Sequence, residues 1–321
     1  MTSKERVEAA LSFRQSDRLP FNFWMDRQLL SEYEEKFGQD FRVSHYGADV
    51  IETFPSLAWP CGEYMVESGS LWYTKPLFED WAEAENLVLP EVTDDTLASV
   101  REILAKYPDK AIFLNIPGPF TILNQIRLLD NLYYDVYDEP EALHALVSRI
   151  ADIHDRVIAE AVKLPITAIY FQDDIASSRG LIMSLEMIQE FVFDSFRNGI
   201  AMAKANGKFV VYHSDGNVTD ALNALCGMGV DAVNPLQPEF NDFAAFKAKY
   251  HGKLAVYGGI DNTKIIPDGS ADEVRAHIRD IYATLGTGGG LIFSSHDITA
   301  HCPPENVDAM VDEILRVQNS L

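Results

Sequence analysis

Eight short apolar runs recur along the chain, and they predict the strands of a parallel sheet. Each run is a nearly continuous series of hydrophobic, β-branched and aromatic residues, which is typical of strands that are buried on both faces. The runs occupy residues 19–24, 48–54, 111–116, 166–171, 208–213, 230–235, 254–259 and 290–295.

Amphipathic segments separate most of these runs and predict helices. They span residues 93–107, 140–162, 184–205, 218–229, 270–286 and 304–318. An N-terminal helix is predicted by a capping box, Thr2 with Glu5, followed by an apolar stripe. Strand and helix alternating eight times predict a single α/β domain over residues 1–321, a (β/α)8 (TIM) barrel with an added N-terminal helix. A doubly wound open sheet is the alternative.

One stretch interrupts the alternation. Residues 61–82 contain two short alternating runs around Ser68, Gly69 and Ser70. Small residues between two alternating runs are typical of a β-hairpin. We therefore predict a hairpin inserted after the second strand.

Composition and charge exclude several classes of partner. The chain has 26 basic and 49 acidic residues in 321, which gives a net charge of −23. This charge repels phosphate backbones and anionic lipids, so we expect neither nucleic acid nor membrane binding. Three cysteines provide no disulfide framework, and the N-terminus has no apolar signal region, so the expected location is the cytoplasm.

Candidate chemistry lies where the apolar runs end, because barrel enzymes carry their active sites at the carboxyl ends of the strands. His213 ends the fifth run and Asp215 follows it, and their spacing places both side chains on one face of the chain. Both could bind one zinc ion, with Cys302 or His296 from the last strand completing the site. The structural alternative is that His213 and Asp215 hydrogen-bond each other and cap the next helix.

Further polar residues end other strands of the predicted barrel. Asp173 and Asp174 follow the very apolar fourth run, where a carboxylate is costly without water, metal or donors. They could orient substrate or transfer a proton, or one could simply cap a helix. With Asn234 near the end of the sixth run and His296 after the eighth, they are the candidate catalytic residues.

Several motifs in the C-terminal half occur in a familiar order. They are QDDIASSRGLIMSLEMIQEF, YHSDGNV, GVDAVNPLQP, YGGID, GGGLIFSSHDI and PPENVDAMV. This order resembles the uroporphyrinogen decarboxylase superfamily, which implies a (β/α)8 barrel. The resemblance implies one of two activities, cofactor-free decarboxylation of a porphyrinogen or zinc-dependent methyl transfer involving a corrinoid protein.

Departures from the family pattern favour the second activity. The decarboxylase resemblance implies an arginine-rich N-terminal motif, but here Arg27 stands alone in that stretch. The methyltransferase branch implies a His-x-Cys pair, and this chain has Asp215 in place of that cysteine. A carboxylate in place of a thiolate makes a harder, more electrophilic metal, suited to polarising an ether oxygen.

The function we expect is therefore an O-demethylase type of methyltransferase. It uses zinc on His213, Asp215 and either Cys302 or His296, a small methoxylated and aromatic substrate, and a corrinoid carried by a partner protein. The alternatives are a uroporphyrinogen decarboxylase, methyl transfer from the corrinoid to a thiol such as coenzyme M, and a barrel without catalytic activity.

Overall fold

Parallel strands dominate the architecture of the computed structural model, which describes residues 1–67 and 70–317. The strands, numbered in chain order, are β1 (Trp24–Met25), β2 (Val50–Thr53), β3 (Glu63–Glu67), β4 (Ser70–Lys75), β5 (Ala111–Pro117), β6 (Ala168–Gln172), β7 (Ala176–Ser177), β8 (Gly180–Leu181), β9 (Phe209–His213), β10 (Ala232–Asn234), β11 (Ala255–Ile260), β12 (Leu291–Ser295) and β13 (Asp297–Ile298). Seven of them form one parallel sheet in the order β12-β11-β10-β9-β6-β5-β2.

The segment that contains β1 closes this sheet into a barrel. β1 pairs in parallel with β13, and a bridge joins Phe21 to Phe293 in β12. On the other side, the backbone N–H of Asp49 donates to the carbonyl oxygen of Phe21 at 2.8 Å, next to the start of β2. The segment therefore lies between the two edge strands, and the predicted (β/α)8 barrel is confirmed; that residues 1–321 form a single domain stays a prediction.

Helices surround the barrel wall. In chain order they are α1 (Ser3–Leu11), α2 (Arg27–Phe37), α3 (Phe41–Ser44), α4 (Ala98–Lys106), α5 (Pro119–Arg127), α6 (Leu129–Asp138), α7 (Pro140–Ala161), α8 (Leu185–Ile188), α9 (Asp194–Ala205), α10 (Leu222–Met228), α11 (Phe243–Tyr250), α12 (Ile265–Asp268), α13 (Ala271–Ile281) and α14 (Pro304–Arg316). Each of the predicted helical segments contains at least one of them, and the segment 184–205 contains both α8 and α9. Within residues 1–67 and 70–317, no helix combines the length and apolar character needed to cross a membrane.

The barrel interior is a separate small core. Its buried side chains come from alternate positions of the strands and from α1: Val7, Ala10, Leu11, Val50, Ala111, Phe113, Ala168, Tyr170, Val211, Ala232, Ala255, Tyr257 and Ile292. The N-terminal helix begins with the predicted Thr2–Glu5 capping box. Its apolar stripe belongs to this core, so α1 packs against the amino-terminal ends of the strands and leaves the carboxyl ends for chemistry.

The predicted hairpin insertion is also confirmed. β3 and β4 pair antiparallel, with Tyr64 opposite Tyr73. The predicted turn at residues 68–69 lies outside the described residues. After β4, residues Trp81–Asn86 form a 3₁₀ helix and lead back to the barrel.

His154 on α7 is expected to make the fold sensitive to mild acid. Burial lowers its pKa to about 3, and its Nε2 has no hydrogen-bond partner beside the ring of Trp59. In the unfolded chain the pKa is about 6.5, so the unfolded state gains a proton first and stability falls as the pH drops below that value.

The measurement is chemical unfolding at pH 7.5 and pH 5 of the wild type and of His154→Leu. The wild type is expected to lose about 2 kcal/mol more than the variant over this interval. The reason is that pH 5 lies about 1.5 pH units below the unfolded-state pKa, and each pH unit corresponds to about 1.4 kcal/mol. Equal losses in the two proteins would show that His154 is already charged, or is hydrated, in the folded state.

Candidate metal and substrate site at the barrel mouth

His213 ends β9 and points into the barrel mouth, held by a fixed hydrogen-bond arrangement. The Nδ2 of Asn234 donates to the carbonyl oxygen of Tyr257, which turns Oδ1 of the same amide toward the imidazole. This Oδ1 lies 2.6 Å from Nδ1 of His213 and also accepts from the hydroxyl of Tyr170. Nδ1 therefore carries a proton, and Nε2, which faces Asp174, is the nitrogen at which a metal ion would bind by displacing a proton.

His213 and two further residues form a group of three potential metal ligands. His213, Asp215 and His296 each offer one ligand atom, and the three atoms lie within 4.8 Å of one another. The two imidazole rings are stacked at 5.2 Å, and Nε2 of His296 is 3.7 Å from Oδ2 of Asp215. Oδ1 of Asp215 is buried without a hydrogen-bond partner. A buried carboxylate oxygen without a donor is costly, and it fits a cation that binds there.

Cys302 does not join this group. Its buried thiol is directed at the carbonyl oxygen of Ile266 in α12, at 3.4 Å, just before α14 begins. Burial raises its pKa to about 12, which keeps it protonated. Of the two candidates for the third ligand, the geometry brings His296 to His213 and Asp215, and it directs the Cys302 thiol to a backbone carbonyl instead.

The adjacent residues Asp173 and Asp174 have different surroundings, because neighbouring side chains on an extended segment point to opposite sides. Asp173 is fully buried and accepts from the backbone N–H groups of Phe120 and Thr121 in the first turn of α5. Burial raises its pKa to about 7 although these bonds lower it. Asp173 thus caps α5, which favours the structural interpretation over substrate contact.

Asp174 lies in the mouth beside the three potential metal ligands. Its Oδ1 accepts from the backbone N–H of Asp215 at 3.0 Å and is 3.4 Å from Nε2 of His213. Burial raises the pKa of Asp174, but the hydrogen bond and charge of His213 lower it to about 2. Burial lowers the pKa of His213, and the hydrogen bond and charge of Asp174 raise it to about 10. Together they hold the loop of Asp215 against the end of β9.

A second polar cluster occupies the opposite half of the mouth, centred on Glu52 in β2. Its Oε1 accepts from Nε1 of Trp24 at 2.9 Å and from the hydroxyl of Tyr257 at 2.5 Å, with Nδ2 of Asn22 at 3.4 Å. Its Oε2 accepts from Nδ2 of Asn115 at 2.7 Å. The sequence patterns did not identify this cluster.

The missed residues share one signal in the sequence. In β6, Tyr170 and Gln172 are two positions apart and therefore lie on one face of the strand. The same holds for Phe113 and Asn115 in β5. Polar atoms on the last inward positions of otherwise apolar strands mark the floor of a barrel mouth. Reading alternate positions within the apolar runs could have identified them.

The chain is similar in sequence to known proteins of one family. A sequence profile of the family described as "Uroporphyrinogen decarboxylase (URO-D)" matches residues 61–317. A uroporphyrinogen decarboxylase of Legionella pneumophila is 23% identical over 278 residues, which cover 82% of this chain and 76% of that protein. One from Cupriavidus necator is 28% identical over 193 residues, 58% of this chain and 51% of that protein.

Solved structures share the barrel over nearly its whole length. A methyltransferase from Methanosarcina mazei covers 98% of this chain and 99% of its own, with a TM-score of 0.77 and 17% sequence identity. A hyperthermophilic beta-glucosidase mutant covers 92% of this chain and 99% of its own, with a TM-score of 0.51 and 10% identity. At these identities the likeness shows the fold alone.

Proposed function

The chain belongs to the uroporphyrinogen decarboxylase (URO-D) family, and we propose that within this family it is a zinc-dependent methyltransferase. Its substrate is a small methoxylated, aromatic compound, and its methyl acceptor is the cobalt of a corrinoid carried by a separate protein. The observation that carries the proposal is the convergence of His213, Asp215 and His296 at the carboxyl ends of the strands.

The residues present fit a zinc ion. Two imidazole nitrogens and one carboxylate oxygen form a common ligand set for catalytic zinc, which leaves a further position for substrate. The unpartnered Oδ1 of Asp215 and the orientation of His213 through Asn234 are what such a site requires. His213, Asp215 and His296 would hold the metal, and Cys302 would not.

The methyl transfer needs a leaving group that can accept negative charge. A bound zinc ion supplies Lewis acidity, which stabilises the charge that develops on a departing oxygen. In that transfer the carbon–oxygen bond of the methoxy group would break with its electron pair going to oxygen, and the reduced cobalt of the partner's corrinoid would supply the electron pair of the new bond to carbon.

Neighbouring residues of this chain hold the proposed metal ligands His213 and Asp215 in position. Asn234 and Tyr170 fix the ring of His213 from below, and Asp174 holds the backbone N–H of Asp215 from the side. Asp173 ties the start of α5 to the end of β6, which keeps the neighbouring rim of the mouth in place. Preorganised groups of this kind lower the barrier, because they need not be rearranged during the reaction.

Decarboxylation of a porphyrinogen is the second candidate, favoured by the names of the curated relatives. That reaction requires a grip on several substrate carboxylates, for which arginine is the suited residue. Arg27, the one arginine predicted in the N-terminal motif, is exposed at the start of α2. The proposed methyl transfer therefore accounts better for the groups at the mouth.

The two functions are separated by assaying the purified protein with and without added zinc. We expect a methoxyphenol and a reduced corrinoid protein to yield methylated corrinoid, detected by its absorbance change, only in the zinc-loaded sample. Uroporphyrinogen is expected to release no carbon dioxide. Metal-free protein that transfers methyl at the full rate, or zinc-independent release of carbon dioxide, would contradict the proposal.

A further inference from the structure

The mouth of the barrel carries an excess of negative charge that the proposed metal does not balance. Five carboxylates lie around it: Asp26, Glu52, Asp174, Asp215 and Asp297. Within residues 1–67 and 70–317, none of them has a lysine or arginine nitrogen within 4.0 Å. A divalent ion on the three ligands would leave this region net negative.

Arg42, which lies beside Trp24, is engaged in other contacts. The guanidinium of Arg42 lies over the ring of Trp24, 4.7 Å from its centroid. Its Nη1 donates to the carbonyl oxygen of Phe23 at 3.2 Å. The positive charge of Arg42 is thus directed at a ring and a backbone oxygen, and neither contact is with one of the five carboxylates.

The Glu52 half of the mouth also presents acceptors rather than donors. The donors that reach Glu52, from Trp24, Tyr257 and Asn115, are already used by its two oxygens. Beside them, Oδ1 of Asn115 is buried without any hydrogen-bond partner, in a residue with no exposed surface. A buried acceptor without a donor is unfavourable unless a bound molecule supplies one.

We infer that Glu52 and Asn115 select the substrate by charge: the part of the substrate remote from the methoxy group carries a hydroxyl or ammonium donor and no carboxylate. The inference rests on the proposed function, since it assigns the substrate class of the same mouth. A carboxylate on the substrate would face Glu52 across a region of low dielectric, where repulsion is strong. A hydroxyl or ammonium group would instead donate to the free acceptor of Asn115 or to Glu52.

The test is binding of three matched probes to the zinc-loaded protein, measured by isothermal titration calorimetry. 4-Methoxybenzyl alcohol, 4-methoxybenzylamine and 4-methoxybenzoate share the methoxyphenyl group and differ in the charge at the far end. We expect the alcohol and the amine to bind at least about tenfold more tightly than the benzoate. Benzoate binding equal to or tighter than that of the alcohol would overturn the inference, as would no binding by any probe.

Glu52→Gln tests the residue, because glutamine keeps the size and one acceptor oxygen but removes the charge. The ratio of amine to benzoate affinity is expected to fall about tenfold or more. A purely structural role would weaken all probes together and leave this ratio unchanged, which would contradict the assignment. The matched control is Glu160→Gln, an exposed carboxylate near the end of α7 at the opposite end of the barrel, which should keep the wild-type ratio.

Binding does not depend on methyl transfer, so the two proposals can fail separately. If no methyl reaches the corrinoid but the probes bind in the expected order, the proposed function is wrong and the charge selection stands. If methyl transfer occurs and the benzoate is the better ligand, the function stands and the selection by Glu52 and Asn115 is wrong. The order measured on the wild type decides even if Glu52→Gln does not fold.

Discussion

His213→Ala is expected to lose zinc and nearly all methyl transfer. The substitution removes one of the three proposed zinc ligands and breaks the contacts of Asn234 and Asp174 with the imidazole. Zinc affinity should fall by about 100-fold or more, since loss of even a supporting residue costs 10 to 100-fold. The value of kcat/KM should fall about a thousandfold, which corresponds to about 4 kcal/mol of transition-state stabilisation.

Metal content by mass spectrometry and methylation of the corrinoid are the two measurements, and neighbouring variants provide the controls. His296→Ala is expected to behave like His213→Ala, whereas Cys302→Ser should keep its zinc because the thiol contacts Ile266. His301→Ala is a matched histidine change, since its ring is exposed and pairs with Asp268 on the same rim. Zinc lost in Cys302→Ser but kept in His296→Ala would assign the third ligand to the cysteine instead.

The choice between His296 and Cys302 shows where sequence reasoning ends. His213 and Asp215 could be paired because they are two residues apart on one extended segment. The third ligand comes from a strand about eighty residues away in the chain, and two suitable side chains follow it. The path of the loop after β12 decides between them, and that path depends on packing against α12 and α14, which a local pattern does not encode.

The fold could be predicted more completely from the sequence, because strands that are buried on both faces have a distinctive, nearly continuous apolar pattern. All eight apolar runs contain or flank strands of the barrel, and the capping box at Thr2 begins α1 as expected. A continuous apolar pattern does not show which face of each strand points into the barrel. Tyr170 and Tyr257 therefore look like ordinary core residues in the sequence, although their hydroxyls support His213 and Glu52.

Asp173 and Asp174 illustrate the same limit at the scale of one peptide unit. The sequence places two carboxylates at the end of an apolar strand and assigns both a possible catalytic role. In the structure one of them caps α5 and the other reaches the mouth. Only the position of α5, which begins after a different strand, distinguishes them, so their roles depend on tertiary contacts.

Asp49 is another residue that the sequence did not single out, and it joins the first segment of the barrel to the second strand. It has no exposed surface, and its carboxylate accepts from both Arg18 Nη atoms, at 2.6 and 2.8 Å, and from Arg6 at 3.2 Å. Oδ2 also accepts the backbone N–H of Phe21. One side chain thus satisfies two arginines and a backbone donor where the barrel closes.

Asp49→Ala is therefore expected to lower the free energy of unfolding by about 3 to 5 kcal/mol, because it leaves the partly buried Arg18 without a carboxylate partner and the buried N–H of Phe21 without its acceptor. Chemical denaturation of the variant and the wild type measures this loss. Asp17→Ala is the matched control: Asp17 bonds the same Arg6, but its side chain is 43% exposed, so the expected loss is below about 1 kcal/mol. A large loss confined to Asp49→Ala would assign the closure of the barrel to this carboxylate. Similar losses in the two variants would contradict this, because they would mean that the buried ion pair stabilises the fold no more than the exposed one.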